Sequence, residues 1–450
     1  MMQNKGNFAF IVFTTSLGFV VSQLDVSIVN IALPEIGRSF SAGISALQWV
    51  VDAYTVAFAV FMLSAGGLSD LLGAKRLFQL GLLIFTLASA GCGLAWSPLI
   101  LIGCRVVQGM GSAIMIPSSL SILNHYFAGD PDERAHAVAL WTAAGGVSIA
   151  AGPVLGGLLL HLGNWRWIFF VNLPIGLLGL LCSIKLNESG TSEHRGFDIP
   201  GQALWMLALT ALIAGIIEWH EAAVAKSYIY GGLVFSLVML TLFLVREKRA
   251  ASPILPLNLF EKRNFNLLIG LGMILNGSYY GMVFVLSLYL QNVLGYSGLL
   301  AGLAFLPLTG SFIVSNLVSS RLIRKFGIRI PIVYGLLIST VGFALLVLAK
   351  ENSPYWVLLP AFFGLPLGMG TAVPAMTTGV LATVERNRSG IASAVLNTTR
   401  QAAGAIGVAI FGAMAVGGKE AIVRAILESS LISAGCMLVY FAVILKGLKN

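Results

Sequence analysis

Apolar stretches of about 18 to 25 residues alternate with short polar gaps along nearly the whole chain, at 8–32, 46–66, 77–95, 99–121, 138–160, 168–186, 200–219 and 228–245. Six more follow a charged, proline-rich connection from Arg246 to Asn264, at 266–290, 299–320, 331–349, 355–381, 391–415 and 426–445. At about 1.5 Å of rise per residue, each stretch can cross a hydrocarbon core of roughly 30 Å as a helix. The pattern predicts an all-α integral membrane fold of fourteen transmembrane helices.

Composition removes the soluble alternative. Hydrophobic residues make up 57% of the 450 positions and charged residues only 10%, where an ordinary soluble domain carries roughly a quarter. The formal charge of +9 does not point to nucleic acid, because the basic residues fall in the gaps between apolar runs and form no patch. With the N-terminus inside, inner segments hold 19 of the 27 Lys and Arg residues and outer segments hold 6, leaving Arg105 and Arg400 within helices. That asymmetry orients a multi-pass chain with both termini cytoplasmic. Trp49, Trp96, Trp165, Trp167, Trp219 and Trp356 fall at predicted outer ends, where an amphipathic ring suits the headgroup boundary. The first stretch contains Asp25 and no small-residue cleavage site, so it reads as an uncleaved helix.

The chain echoes itself. Gly109-Met110-Gly111-Ser112-Ala113 returns as Gly368-Met369-Gly370-Thr371-Ala372, Glu133-Arg134 as Glu385-Arg386, and the segment from Leu68 to Lys75 with Gly73 as that from Leu322 to Arg329 with Gly327. Offsets of similar size in chain order predict two related six-helix bundles, 1–186 and 265–450, with two inserted helices and a linker in 187–264. Such a duplication puts a substrate site between the bundles, near the midplane.

Ionisable groups inside a bilayer cost at least about 2.5–3.5 kcal/mol each, so every one needs a reason. Asp25, Asp52 and Arg105 are expected at a similar depth, roughly 9–11 Å from the outer helix ends. Burial favours a neutral carboxyl and a nearby arginine favours a charged one, a balance that can let Asp25 or Asp52 exchange a proton. A carboxylate can also hold a cationic substrate, so proton and cargo compete, which is the simplest basis for antiport. Arg400 lies close to the midplane and can face the substrate path or cap helix carbonyls. Tyr54, Tyr279, Tyr280, Phe284 and Tyr289 can line a cavity for flat cations.

Other chemistry finds little support. Cys92, Cys104, Cys182 and Cys436 sit in apolar segments without CxxC spacing and read as buried thiols. The five histidines form no metal-binding motif, and GxxxxGK[ST] is missing. An ion gradient is left as the drive.

The strings LDVSIVNIALP from Leu24 to Pro34, WVVDAY from Trp49 to Tyr54 and RVVQGMGSA from Arg105 to Ala113 resemble those of fourteen-helix drug:proton antiporters of the major facilitator superfamily. GNWRWIFFVNLPIG from Gly163 and NTTRQAAGAIG from Asn397 extend the resemblance through most of the chain. It implies proton coupling at Asp25 and Arg105, with Asp52 beside the substrate path. The loop Gly67-Leu68-Ser69-Asp70-Leu71-Leu72-Gly73-Ala74-Lys75-Arg76 resembles the superfamily's cytoplasmic gate, with Leu71 and Ala74 where arginines are usual. Gly145, Gly152, Pro153, Gly156 and Gly157 resemble its exporter motif. The implied function is proton-coupled export of drug-like, often cationic amphiphilic molecules across a bacterial-type inner membrane. The alternative is a specific metabolite exporter or proton symporter of the same fold. Expected partners are small-molecule substrates, protons and membrane lipid, with no enzyme activity, cofactor, metal or nucleic acid, and the chain is expected to act as a monomer.

Overall fold

A backbone in lipid has no hydrogen-bond partner but itself, so each long apolar run closes into helix. The computed structural model describes residues 2–188, 198–220, 224–250, 253–385 and 389–448, and among them every long element is helical. The helices are α1 (Met2–Phe40), α2 (Ile44–Leu72), α3 (Ala74–Leu94), α4 (Pro98–Tyr126), α5 (Pro131–Leu162), α6 (Trp167–Phe170), α7 (Asn172–Ser183), α8 (Ile199–Ile217) and α9 (Lys226–Glu247). After the linker come α10 (Arg263–Leu288), α11 (Gly298–Ala304), α12 (Leu306–Phe326), α13 (Arg329–Leu346), α14 (Leu359–Ala382), α15 (Ser389–Met414) and α16 (Lys419–Gly447).

Eleven spans among the described residues are long and apolar enough to cross a membrane, with α11 and α12 counted as one, and a bent α5 makes twelve. The expected run at 168–186 is interrupted at Val171, and its helical stretch Trp167–Ser183 is shorter than a full crossing. α15 has the length, but Asn397 to Gln401 make its middle polar. The count of fourteen therefore does not follow from length and apolarity alone. Two smaller expectations also change. Cys436 is exposed, and only Cys92 of the four cysteines is fully buried. Trp165 is 1% exposed and packs edge-on against Phe40 and Phe169, unlike Trp96 and Trp356, which stand free of the protein as belt residues do.

α1 packs on α5, α4 and α7, while α4 packs on α2 and α3; in the second half α10 packs on α15 and α16, and α14 on α12 and α13. The halves meet where α2 lies on α15, α5 on α11 and α12, and α1 on α10. α8 covers the α2–α15 seam: Leu209, Ile213 and Ile217 bury against Val56, Ala59 and Val60 of α2 and Ala402, Ala405 and Ala409 of α15. Small residues on that seam allow the close approach that lipid, being as apolar as any side chain, does not drive. Gln202 donates to the Val60 carbonyl at 2.7 Å and Trp49 Nε1 to Glu218 at 2.9 Å, pinning the inserted pair at two levels.

Gly73 and Gly327, matched by the internal echo, both take positive φ, +89° and +74°, in the turns after α2 and α12. An L side chain is strained there, which accounts for glycine in both copies. The matched glycine strings behave differently. A Cβ at Gly109 would strike α2 and one at Gly111 α3, whereas Gly368 faces α13 and Gly370 faces α12, so equal spacing in sequence does not mean equal contacts.

Candidate functional site

Asp25 of α1 and Arg105 of α4 form an ion pair with 0% and 1% of their side chains exposed. Gln108 Nε2 donates to Asp25 Oδ1 at 2.8 Å and Asn172 Nδ2 to the same oxygen at 3.0 Å. Both amides also donate to Ser89 Oγ, at 3.2 and 3.0 Å. Arg105 donates through Nη1 to Gln108 Oε1 at 2.7 Å and through Nε to the Val50 carbonyl of α2 at 3.0 Å. Its Cζ stands 4.4 Å from the centroid of the Tyr54 ring, and the Tyr54 hydroxyl donates to Ser112 and shares a 2.7 Å bond with Ser22. One connected polar cluster thus joins α1, α2, α3, α4 and α7. Desolvating two charges is costly, and only a near-complete set of partners such as this one offsets it.

Asp52 is different. Its side chain is fully buried, and among the described residues neither carboxyl oxygen has a hydrogen-bond partner. It sits between Val50 and Tyr54, the two α2 residues that Arg105 touches, yet the cluster does not include it. The three ionisable groups expected in one layer therefore divide into a satisfied pair and a solitary acid.

A cavity of about 20 Å³ lies between the halves, lined by Val26, Ser27 and Asn30 of α1, Ile149 of α5 and Tyr279, Tyr280 and Val283 of α10. That is room for about one water, whereas drug-sized ligands need roughly 300–1,000 Å³. Of the expected aromatic lining, Tyr279 and Tyr280 face this cavity. Tyr54 belongs to the charge cluster, Phe284 is wholly core, and Tyr289 sends its hydroxyl to the Lys350 carbonyl at 2.6 Å. Arg400 packs its stem near Gly272 of α10, and its buried Nε has no partner.

The halves are fastened to each other by side-chain bonds to backbone carbonyls. Gln48 of α2 donates to the carbonyls of Val408 and Ala409 on α15 at 3.2 and 2.8 Å. Pro34 cannot donate to the Asn30 carbonyl, and Ser287 of α10 does so instead, while Gln291 donates to Ile31 at 2.9 Å.

The Major Facilitator Superfamily family model matches residues 15–408. The chain belongs to the Major Facilitator Superfamily. It is 34% identical to the methylenomycin A resistance protein of Bacillus subtilis (strain 168) over 398 residues, which is 88% of this chain and 85% of that protein. It is 35% identical over 404 residues to the multidrug resistance protein Stp of Mycobacterium tuberculosis (strain CDC 1551 / Oshkosh), covering 89% of this chain and 74% of that one. A solved structure of a POT family transporter in complex with 5-aminolevulinic acid superposes with a TM-score of 0.75 at 12% identity, over 98% of this chain and 97% of that one, a likeness of fold alone. The protein is accordingly a transporter and not an enzyme.

Within this superfamily member, the loop from Gly67 to Arg76 and the α5 glycines occupy distinct places. Gly67 and Asp70 lie outside the residues whose side chains are described. Gly73 forms the turn, with Glu188 where a Cβ would project. Lys75 Nζ donates to the Ile184 carbonyl at 3.0 Å, and Arg76 stands 3.5 Å from Glu188 in an exposed pair worth little. These partners are in the segment after α7, on the same half as the loop.

On α5, Gly145 faces the Phe19 ring, a Cβ at Gly152 would come 2.5 Å from that of Ser27, and Gly156 faces Ile28, so three glycines seat α1. Gly157 turns to the other half, where an added Cβ would meet the Gly298 carbonyl at 2.7 Å, and the Pro153 carbonyl crowds Gly302. α5 bends by 41° between Ile149 and Ala151.

Gln108, Asn172 and Ser89 were not singled out from sequence. Gln108 follows Arg105 by three residues, one helical turn on the same face, and Asn172 interrupts an apolar run; both signals were present.

Proposed function

We propose that the chain is a proton-coupled exporter of drug-like small molecules, often cationic amphiphiles, working by alternating access in a bacterial-type inner membrane with both termini cytoplasmic. The observation that carries this reading is the division of buried charge: Asp25 satisfied by Arg105, Gln108 and Asn172, and Asp52 buried without a partner on the adjoining helix. The names of the relatives, a methylenomycin A resistance protein and a multidrug resistance protein, support drug export as the direction and cargo class.

In this reading a proton on Asp25 weakens its hold on Arg105, and Arg105 acts on α2 through Val50 and Tyr54, on either side of Asp52. An acid without a partner takes either a proton or a cation, so cargo and proton exclude one another there. Asp52, Tyr280 and Arg400 form the cargo path, and the turn of Gly67, Asp70, Gly73, Lys75 and Arg76 controls the inner side. The glycine face of α5 carries the sliding of the halves. The division into bundles 1–186 and 265–450 with an inserted 187–264 follows this scheme, with Trp167–Ser183 and Ser389–Met414 completing fourteen crossings. The chain works as a monomer, with the proton gradient as its drive and no cofactor.

The test is ethidium efflux from cells expressing the protein, with and without a protonophore. Efflux should stop when the gradient collapses, and gradient-independent efflux would overturn the mechanism.

A further inference from the structure

Among the described residues, Arg400 is a cation that no anion pairs with. Helices α10 to α15 contain no Asp or Glu, and the two acids of α16, Glu420 and Glu428, are both exposed and form none of the ion pairs among the described residues. Among the described residues the ion pairs are Arg76–Glu188, Arg105–Asp25 and Arg246–Asp198, and Asp52 on the adjoining α2 makes none. Among the described residues its buried Nε has no hydrogen-bond partner either. Arg105, by contrast, bonds Asp25, Gln108 and the Val50 carbonyl and lies over the Tyr54 ring.

The position is built around the side chain. The absence of a side chain at Gly272 makes room for the Arg400 stem, since a Cβ there would come 3.2 Å from Arg400 Cγ and from Met376 Sδ. One helical turn on from Arg400, an added Cβ at Gly404 would lie 3.0 Å from the Tyr280 ring, and Tyr280 lines the cavity between the halves together with Ser27 and Asn30. Asn30 Oδ1 and Thr398 Oγ1 are buried and unpartnered in the same two helices that carry Asp25 and Arg400. A bare guanidinium beside a cargo cavity is costly to keep unless something planar and negative visits it.

We propose that Arg400 is the anion-recognition residue of the cargo site and receives a carboxylate, or a similarly planar oxyanion, of the exported molecule. This rests on the efflux reading and narrows it: among the exported amphiphiles, those that bear an acidic group, with or without a cationic one, are preferred. A guanidinium pairs with a carboxylate through two parallel N–H donors, a geometry that an ester cannot repay with charge. Lysine would keep the charge and lose the fork.

The experiment uses the full chain in lipid nanodiscs, in chloride-free buffer, with two dyes that share one ring system: rhodamine B, which carries a free carboxylate, and its ethyl ester, which does not. Fluorescence anisotropy gives a Kd for each, and ethidium efflux from cells is measured in parallel. The native protein should bind the acid at least about tenfold more tightly than the ester, a difference of about 1.4 kcal/mol. Arg400→Gln should bring the ratio toward one, and Arg400→Lys should leave it between the two. A native ratio of one or below overturns the proposal whatever the variants do. So does Arg400→Gln weakening acid and ester by the same factor, the mark of a packing role. If ethidium is exported and the acid has no advantage, this inference falls alone; if ethidium is not exported and neither dye binds, the efflux reading falls with it.

Discussion

The hydroxyl of Ser27 on α1 donates to the carbonyl of Ile149 on α5 at 2.7 Å, and that carbonyl is available because Pro153, four residues further on, has no N–H to offer it. Ser27 is two residues from Asp25, and Ile149 stands at the bend of α5. The helix that carries Asp25 is therefore bonded to the place where its neighbour bends.

Ser27→Ala should cost about 1–3 kcal/mol if the Ile149 carbonyl is left without a donor. Thermal unfolding of the detergent-purified protein measures it; an unchanged melting temperature would mean that water replaces the hydroxyl at no cost. Gly152→Val should be worse, because its Cβ already has no room against Ser27.

Asp25→Asn should end proton-driven export and also destabilise the fold by about 3–5 kcal/mol, since Arg105 is then a buried charge without its counter-ion. The double variant Asp25→Asn with Arg105→Gln should recover part of the stability and none of the coupling. Proton flux into proteoliposomes under an imposed gradient, read beside melting temperature, separates the two effects. Coupled flux surviving in Asp25→Asn would remove Asp25 from the mechanism.

Gln48 on α2 and Gly412 on α15 meet across the seam between the halves, where a Cβ at 412 would lie 2.8 Å from Gln48 Cγ. Cysteines at both positions are within range of a disulfide. In a background lacking the four native cysteines, the oxidised Gln48→Cys, Gly412→Cys protein should be inactive and a reductant should restore export. Full activity with the bridge formed would show that this seam does not open in the cycle.

Asp198, just ahead of α8, accepts a two-pronged interaction from Arg246, with Nη2 at 2.5 Å and Nε at 2.8 Å, and caps the helix by accepting from the Gly201 N–H at 3.1 Å. Burial pulls its carboxyl upward, but these donors outweigh that pull and hold it below the ordinary carboxylate range. A carboxyl depressed in the folded state stabilises it above the unfolded value of about 3.9 and loses that contribution as pH falls through the folded value. The melting-temperature gap between native protein and Asp198→Asn should be constant from pH 7 to about 5 and close below pH 4. A gap that persists at pH 3 would assign the effect to packing.

Much of the fold was legible from runs of apolar residues, because a bilayer of fixed thickness demands helices of fixed length. The misjudged elements share one cause. Lipid and protein interior are equally apolar, so hydropathy cannot tell a helix facing neighbours from one facing tails. Hence Cys436 was expected inside, and Trp165, expected at the headgroups, turned inward onto Phe40 and Phe169. The polar middle of α15 shows the converse: a helix packed on α2 and α10 can carry Asn397 to Gln401 because neighbours cover it.

The sequence by itself determined that this chain lives in a membrane, which charges lie within its helices, and where glycine and proline bend or narrow them, since each of these is a property of one segment read against the bilayer. Only the tertiary structure decided which charges meet. Asp25 and Asp52 are equivalent on a hydropathy plot, but the rotation of α1 and α2 about their own axes, set by the glycines of α5 and α4 packed against them, gives one a full set of donors and leaves the other bare.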